Sequence, residues 1–446
     1  MSQARFSYTA DDLRQIARDA LSHALKGGAS ACDTEVSEGY GQGVTVRKGA
    51  VETIEYNRDK GVGVTVYLGQ QKGFASTSDL SPKAVRDSVD KALSIARFTA
   101  ADPCAGLPEV SMLATRNVDL DLFHPWELSV DGAIDVARRA EAAAFAVDPR
   151  ITNSEGASVS VQHSHFIAAN SLGFMGGYPS TRHYVSCGVI AGRNAGMQRD
   201  DWYSSARDAA SLAAPEAVGR YAAERALSRL KAKKIGTRTV PILFEAPLAT
   251  SLIGSFVAAV SGGSLYRKSS FLMDSLGKPV FSSIVNLAER PYLKKELGSA
   301  PFDDEGVITV DRQVVRNGVL QGYFLSTYSS RKLGMQTTGN AGGSHNLILK
   351  SGTQNLVGLL KLMGTGLLVT ELIGQGINMV TGDYSRGAFG YWVENGEIKY
   401  PVEEVTIAGN LIDMFKGIAA IGNDVVVRGS RKNGSILLDH MTVAGS

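Results

Sequence analysis

The stretch from Gly374 to Asp413 constrains the fold of this chain more than any other segment. Its apolar runs are cut by Gly, Asp and Asn into short pieces, which is typical of strands rather than helices. Asn395-Gly396 stands between Tyr391-Trp392-Val393 and Ile398, and this dipeptide is the strongest short-range signal of a β-hairpin. The C-terminal part of the chain is therefore predicted to contain an antiparallel sheet.

A polar segment precedes this hairpin, from Thr381 to Arg386. It lies between apolar runs, so we expect a loop that the fold holds in place. Asp383 and Arg386 are predicted to anchor that loop. Two interpretations stay open: the pair contributes to a functional surface, or it forms a partly buried ion pair that only fixes the turn.

Length and composition indicate a soluble globular protein with several domains. The 446 residues exceed the ~250–300 residues at which single cores usually stop growing, so two or three domains are expected. Hydrophobic residues make up 44% of the chain and charged residues 20%. The 46 basic residues are matched by 44 acidic ones, and no long basic run occurs. This balance gives no electrostatic basis for binding nucleic acid.

Cysteine usage and the chain ends predict a cytoplasmic protein. Cys32, Cys104 and Cys187 are odd in number, lie far apart and form no C-x-x-C pair, which fits a reducing compartment. The N-terminal MSQARFSYTADD lacks the charged-then-apolar pattern of a signal peptide. No apolar run reaches the ~18 residues that a membrane-spanning helix needs, so no membrane association is expected.

The first predicted unit covers residues 1–108 and mixes helices with a sheet. An amphipathic helix is predicted at Thr9–Lys26, where Gly27-Gly28 ends it, and a second one runs from Ser81-Pro82 to about Phe98. A meander of four strands is predicted between them, at Val44–Arg47, Val51–Tyr56, Gly63–Leu68 and Gly73–Ser76. Asp59-Lys60-Gly61 is interpreted as one of its turns.

The rest of the chain is predicted to form a second α/β unit at residues 119–232 and a large β-rich domain at 239–446. The second unit contains predicted helices at Val130–Val147 and Pro215–Ala232 and strands at Ser158–Asn170 and Arg182–Ala191. The β-rich domain is interrupted by predicted helices at Leu248–Val260 and Asn355–Met363. The overall class is therefore α+β.

Common catalytic templates are missing from the sequence. It contains no G-x-S-x-G, G-x-x-x-x-G-K-[ST], G-x-G-x-x-G or H-E-x-x-H. His163 and His165 lie two residues apart on a predicted strand, so they face the same side and resemble a pair of metal ligands. That side also carries Val159, Val161 and Ile167, which favours packed histidines.

The loop Gly339–Asn346 is the more informative polar segment. Its small residues would let a ligand or another backbone approach His345 closely. The alternative is a loop whose glycines serve only unusual backbone angles.

Several long motifs carry a family resemblance. The run TGDYSRGAFGYWVENGEIKYPVEEVTIAGN resembles the C-terminal signature of the TldD/PmbA metallopeptidase family, in its PmbA branch, also called TldE. Further matches to this branch are GSLYRKSSFLMDSLGK at 263–278, STYSSRKLGMQTTGNAGGSHN at 326–346 and STSDLSPKAV at 76–85. The resemblance covers nearly the whole chain. It implies an α/β N-terminal region and a closed, barrel-like C-terminal domain.

The resemblance also implies that this chain has no metal site of its own. The TldD branch carries an HExxxH element, and alignment on Arg267 places that element on the helix around Gly254. Gly254, Ser255 and Ala259 would then replace its histidine, glutamate and histidine. The C-terminal cysteine of the TldD branch falls at Asn433-Gly434, which also lacks a metal-binding side chain.

The implied function is that of a subunit in a cytoplasmic metallopeptidase. A TldD-like partner would hold zinc or another divalent metal, and this chain would form the other wall of a cleft for unfolded or short peptides. Four residues are candidates for lining that cleft or the subunit interface: Tyr266, Arg267, His345 and Asp383.

Two other functions stay open at this point. The chain could itself be a homodimeric peptidase with an unrecognised metal site, such as one built on His163 and His165, or a non-enzymatic protein that binds peptides and regulates a partner. Whether the chain forms a homodimer without its partner is also left open.

Overall fold

The N-terminal half of the protein is built on one antiparallel sheet of seven strands. The computed structural model describes residues 6–116 and 118–445, so the predicted unit limits at residues 1 and 446 lie outside the described part. The strands are β1 (Ala31–Arg47), β2 (Ala50–Leu68), β3 (Gln71–Thr77), β4 (Ile151–Asn170), β5 (Met175–Gly176), β6 (Pro179–Ala191) and β7 (Gln198–Ala206). Their order is β3-β2-β1-β4-β6-β7, with β5 paired to β4. Because β1 pairs with β4, the two predicted N-terminal units share a continuous sheet.

Two pairs of helices pack on one face of this sheet. The helices are α1 (Ala10–Lys26), α2 (Pro82–Phe98), α3 (Val130–Phe145) and α4 (Pro215–Ser228). α1 and α2 share an apolar core with Val36, Val64 and Ile167, whereas α3 and α4 share a second core with Val44 and Val159. Both cores lie on the same side because these residues alternate in step along β1 and β4.

The predicted helices of this half are confirmed, but one predicted turn is wrong. α1 begins after Thr9, whose hydroxyl accepts a hydrogen bond from the Asp12 amide in a capping box. Asp59-Lys60-Gly61 does not interrupt the sheet, because β2 pairs with β1 without a break from Thr53 to Tyr67. A ladder of backbone hydrogen bonds over this length outweighs the turn preference of three residues.

The C-terminal domain contains eleven further strands and five helices. The strands are β8 (Arg238–Phe244), β9 (Leu287–Glu289), β10 (Arg312–Arg316), β11 (Val319–Leu320), β12 (Leu347–Leu349), β13 (Gly366–Ile373), β14 (Asp383–Glu394), β15 (Glu397–Asn410), β16 (Ile418–Ile421), β17 (Arg431–Lys432) and β18 (Ile436–Ala444). The helices are α5 (Ala246–Ala259), α6 (Gly262–Tyr266), α7 (Thr327–Lys332), α8 (Leu356–Met363) and α9 (Leu411–Lys416).

Five of these strands close into a barrel. They follow the order β15-β14-β13-β8-β18, and pairing of β15 with β18 closes the ring. The predicted hairpin is confirmed: Asn395 and Gly396 join β14 to β15, and both have positive φ, 53° and 76°. Helix α5 contributes the fully buried Phe256 to the core of this domain, next to Phe244 of β8. The α+β fold with a barrel-like C-terminal domain is therefore confirmed.

A second sheet of the C-terminal domain has the order β11-β10-β9-β12-β17. It carries the loop Gly339–Asn346 and the segment after β17, both of which were singled out in the sequence. No helix in residues 6–116 and 118–445 is long and apolar enough to cross a membrane.

Candidate functional site

Helix α5 lies against the segment 431–433, so two distant parts of the sequence meet. The Asn433 side chain donates a hydrogen bond to the Ala246 carbonyl in the first turn of α5, at 2.9 Å. An ideal Cβ built on Gly254 would lie only 3.0 Å from Nη1 of Arg431. The fold thus brings together the segments that the family resemblance aligned with the HExxxH element and the cysteine of the TldD branch.

The residues at this contact do not fit a metal ion. Gly254 offers no side chain, and the Ser255 hydroxyl donates to the Ser251 carbonyl within the helix, at 3.1 Å. Ala259 is fully buried in the core. In the described ranges, no group of three or more His, Cys, Asp or Glu side chains is arranged to hold a metal.

The contact between α5 and the segment 431–433 carries a cation, Arg431. The guanidinium of Arg431 is partly buried, and burial lowers its pKa. Its Nε atom has no hydrogen-bond partner, and the ion pairs found among the described residues do not include it. Two more buried polar atoms of these segments lack partners among the described residues, Ser251 Oγ on α5 and Asn433 Oδ1.

Tyr266 and Arg267 form a pair at the end of α6. Arg267 is exposed, its Nη1 donates to the Tyr266 hydroxyl at 3.1 Å, and its guanidinium lies 5.2 Å from the Tyr266 ring centre. The Tyr266 ring packs edge-on against Tyr328 of α7. The pair therefore offers a cation and a hydroxyl to solvent beside α7.

Asp383 is the first residue of β14, not part of a loop. Its carboxylate accepts hydrogen bonds from the Thr381 hydroxyl and the Asn410 amide, and these bonds lower its pKa. The alternative interpretation, an ion pair between Asp383 and Arg386, is wrong, because residues three apart on a strand point to opposite faces. Both the loop prediction and the ion-pair interpretation are thereby corrected, and the Asp383 carboxylate stays exposed.

His345 is buried and holds its own loop together. One ring nitrogen, Nε2, lies 2.9 Å from the Gly339 carbonyl. The His345 amide donates to Glu289 Oε1 at 2.8 Å, and the Asn340 side chain donates to the same oxygen at 2.9 Å. Oε2 of Glu289 pairs with Arg312 at 2.7 Å. The loop Gly339–Asn346 therefore closes over a buried ion pair.

The glycines of that loop serve its backbone. Gly339, Gly342 and Gly343 have φ of 67°, 89° and 124°, values that other residues rarely adopt. An ideal Cβ on Gly342 would lie 2.2 Å from a carboxylate oxygen of Asp304. These observations agree with the interpretation that the loop requires unusual backbone angles.

A cavity of about 670 Å³, lined by charged and polar side chains, lies between the first sheet and the C-terminal domain. The connector at 99–106 forms one wall, and α7 clamps it there: Asp102 accepts hydrogen bonds from the Tyr328 hydroxyl at 2.7 Å and from Lys332 at 3.1 Å. Arg331 donates to three connector carbonyls, those of Cys104, Gly106 and Leu107. Tyr328 lines the cavity and contacts Tyr266, so the predicted pair Tyr266-Arg267 lies close to the cavity's rim.

His163 and His165 pack among aromatic rings between the two helix pairs. The His163 ring stacks on Tyr40 with centroids 4.5 Å apart, and the His165 ring stacks on Phe6 at 3.8 Å. His183 of the neighbouring strand lies 5.9 Å from His163. These contacts are those of packed histidines, the interpretation that the apolar neighbours favoured.

The buried histidines should make the protein less stable in acid. Burial, with a smaller contribution from nearby His183, lowers the pKa of His163 from 6.5 to about 4. A histidine with a lowered pKa stabilises the fold above its unfolded pKa and loses that contribution as the pH falls. For His163 the loss is about 2 kcal/mol at pH 5.

We therefore expect His163→Phe to flatten the decrease in free energy of unfolding between pH 7.5 and pH 5, measured by urea denaturation. The exposed His440 is the matched control, because His440→Gln should leave the pH slope unchanged. An unaltered slope in His163→Phe would contradict the assignment.

Sequence reasoning missed Arg431 and the clamp formed by α7. Arg431 lies two residues before the aligned Asn433, so the alignment reached its neighbourhood without assigning it a role. Arg331 and Lys332 lie within the matching motif at 326–346, but their partners are more than 220 residues away in sequence.

Comparisons with known proteins agree over nearly the whole length of the chain. Three stretches match domains described as PmbA/TldA metallopeptidase domain 1, central domain and C-terminal domain, at residues 32–96, 123–230 and 237–445. A metalloprotease PmbA homologue of Haemophilus influenzae is 47% identical over 436 residues, which cover 98% of this chain and 96% of that protein.

More distant similarity extends to the other branch and to a crystal structure. A metalloprotease TldD homologue from the same Haemophilus influenzae strain is 23% identical over 413 residues, 84% of this chain and 82% of that protein. A Bacteroides thetaiotaomicron protein, described as a candidate modulator of DNA gyrase, has a crystal structure with a TM-score of 0.93 and 28% identity. The match covers 98% of this chain and all of that one.

Proposed function

Because the chain belongs to the PmbA/TldD metallopeptidase family, we propose that it acts as the non-metallated subunit of a peptidase whose metal is held by a TldD-like partner. The observation that carries this proposal is the contact between α5 and the segment 431–433. By the family alignment, Gly254 and Ser255 replace a histidine and a glutamate of the TldD metal site, neither side chain supplies a metal ligand of that kind, and Arg431 packs against Gly254.

The presence of both branches in one organism supports a division of labour. Haemophilus influenzae has a PmbA homologue with 47% identity to this chain and also a TldD homologue with 23% identity. The cofactor, zinc or another divalent metal, would lie in the TldD-like chain. There it would polarise the scissile carbonyl and activate water.

An unpaired strand edge supports association with another chain. Residues 50–57 of β2 are exposed and, within the described part of the chain, pair with β1 on one side only, since β3 begins its pairing at Val62. Ile54 and Tyr56 are exposed on this edge. Soluble proteins usually cover or shorten such edges, so we propose that the partner packs against it.

The substrates proposed are unfolded or short peptides held in a cleft between the two chains. Tyr266, Arg267 and Asp383 are exposed or half-exposed and would line this chain's wall, whereas His345 would shape the wall through its loop. An enclosed cleft admits extended peptides and excludes folded proteins. All three cysteines of the chain are free thiols, which supports the cytoplasm as the location.

The test is metal content and peptide hydrolysis of the purified chain, alone and mixed with a TldD-like chain. We expect one metal per heterodimer and hydrolysis roughly 100-fold or more above either chain alone, the lower end of what a positioned general base contributes. Stoichiometric metal and hydrolysis in this chain alone would overturn the proposal, and peptide binding without hydrolysis in the mixture would favour a regulator.

The same mixture tests the proposed wall. Arg267→Gln should raise the KM for the peptide and leave metal content and assembly unchanged, because among the described residues the Arg267 side chain hydrogen-bonds only to Tyr266. An unchanged KM would remove Arg267 from the wall.

A further inference from the structure

Arg431 is a cation that the fold has not neutralised. Three other partly buried arginines are in ion pairs: Arg312 with Glu289, Arg225 with Glu245 and Asp200, and Arg229 with Asp200 and Glu371. Arg428 also has buried nitrogen atoms without hydrogen-bond partners, but its guanidinium stacks on the rings of Trp202 and Tyr203. Arg431 makes no ion pair or hydrogen bond to any residue in the described ranges, and its Nε atom is buried. Desolvating a guanidinium without a partner costs free energy, which binding of an anion would recover.

The guanidinium of Arg431 packs directly on the backbone of α5, and Nε is the nitrogen atom that is buried without a partner, so an anion would approach Nη1 or Nη2 from solvent. Gly254 faces the guanidinium and carries no side chain, and Ala258, one turn further along α5, is exposed. Ser251 Oγ of α5 and Asn433 Oδ1 are also buried without hydrogen-bond partners among the described residues.

We propose that Arg431 binds a carboxylate of the peptide that this chain handles, either the C-terminal carboxylate or an acidic side chain. Arginine presents two parallel N–H groups to a carboxylate, so the recognition is geometrically specific as well as electrostatic. The inference rests on the proposed function as far as peptides are the ligand. It adds that this subunit selects peptides by negative charge, at the place where its relatives in the TldD branch would hold a metal.

The test uses the full chain and three labelled peptides of one sequence: with a free C-terminus, with an amidated C-terminus, and amidated with one internal aspartate. Binding is measured by fluorescence anisotropy. If Arg431 binds the C-terminal carboxylate, the peptide with a free C-terminus should bind at least ~10-fold more tightly than the neutral amidated peptide. If Arg431 binds an acidic side chain, the amidated peptide with the internal aspartate should show this gain instead. Arg431→Gln should abolish this preference. Arg316→Gln, a change at an exposed arginine of β10, should preserve it.

A second variant guards against misfolding of Arg431→Gln. Gly254→Val places side-chain atoms next to the guanidinium without removing its charge, so it should also weaken the preference. Equal binding of charged and neutral peptides by the unmodified chain, or a retained preference in Arg431→Gln, would overturn the inference. The inference would also be overturned if Arg431→Gln lost assembly with the partner but kept the preference for charged peptides. Arg431 would then pair with a carboxylate of the partner subunit and not with one of the peptide.

Failure of this inference can be separated from failure of the proposed function. If the mixture with a TldD-like chain hydrolyses charged and neutral peptides with equal KM, the subunit assignment stands and the carboxylate site falls. If the mixture hydrolyses none of these peptides but the binding assay still shows a preference that depends on Arg431, the carboxylate site stands and the subunit assignment falls.

Discussion

Glu289→Ala should lower the free energy of unfolding by about 3–5 kcal/mol, the cost of leaving one member of a buried ion pair without its partner. Glu289 is 1% exposed and accepts hydrogen bonds from Arg312, Asn340 and the His345 amide. Removing its carboxylate leaves the Arg312 charge uncompensated and frees the loop Gly339–Asn346 from β9.

Urea denaturation at pH 7 measures this effect. Glu289→Gln should be intermediate, because an amide oxygen can still accept one of the hydrogen bonds but carries no charge for Arg312. The control is Glu397→Ala, which removes an exposed carboxylate of β15 paired with exposed Lys399 and should leave the midpoint unchanged. Equal midpoints for Glu289→Ala and the unmodified chain would show that the network does not hold the loop.

Local sequence signals predicted the elements whose geometry depends on neighbouring residues. The Asn395-Gly396 hairpin, the capped helix α1 and the proline-started helix α2 all follow from a few adjacent side chains. The length of β2 did not follow, because the partners of Asp59 and Lys60 lie some twenty residues earlier, at Gly39 and Glu38. Pairing with β1 overrides local turn preference there.

The candidate site was predictable only in part, for the same reason. Alignment placed Gly254 and Asn433 in one functional element, and the fold brings their segments together. The proposed role of Arg431 rests on its lack of a hydrogen-bond or ion-pair partner, and this lack can be seen only in the folded chain. His345 was singled out as a possible contact for a ligand, and its ring is buried against Gly339, a contact that depends on how the loop folds back on itself and not on local sequence.

A second cluster of charges fixes the central part of the chain to the barrel. Arg225 of α4 pairs with Glu245 at 2.8 Å and with Asp200 of β7 at 3.2 Å. Glu245 is the residue that precedes α5, so this cluster also holds the start of the helix that carries Gly254. Arg229 extends the cluster to Glu371 of β13.

Arg225→Met should therefore cost about 3–5 kcal/mol, because methionine keeps the contact with Trp202 but leaves the buried Glu245 carboxylate without its cation. Burial already raises the pKa of Glu245, and Arg225 opposes that rise, so the variant should raise the pKa further. A carboxyl with a raised pKa binds more protons in the folded state than in the unfolded state. The penalty of the variant must then grow as the pH increases.

Thermal and urea unfolding of Arg225→Met and the unmodified chain at pH 5 and pH 8 measure this dependence, with a smaller difference expected at pH 5. Arg220→Met on the exposed face of α4 is the matched control and should show no such pH effect. Arg225→Met/Glu245→Met should recover most of the loss, since replacing both partners leaves no unpaired charge. If the loss in free energy of unfolding did not depend on pH, it would come from lost packing against Trp202. The apolar face of α5 alone would then hold this helix in position.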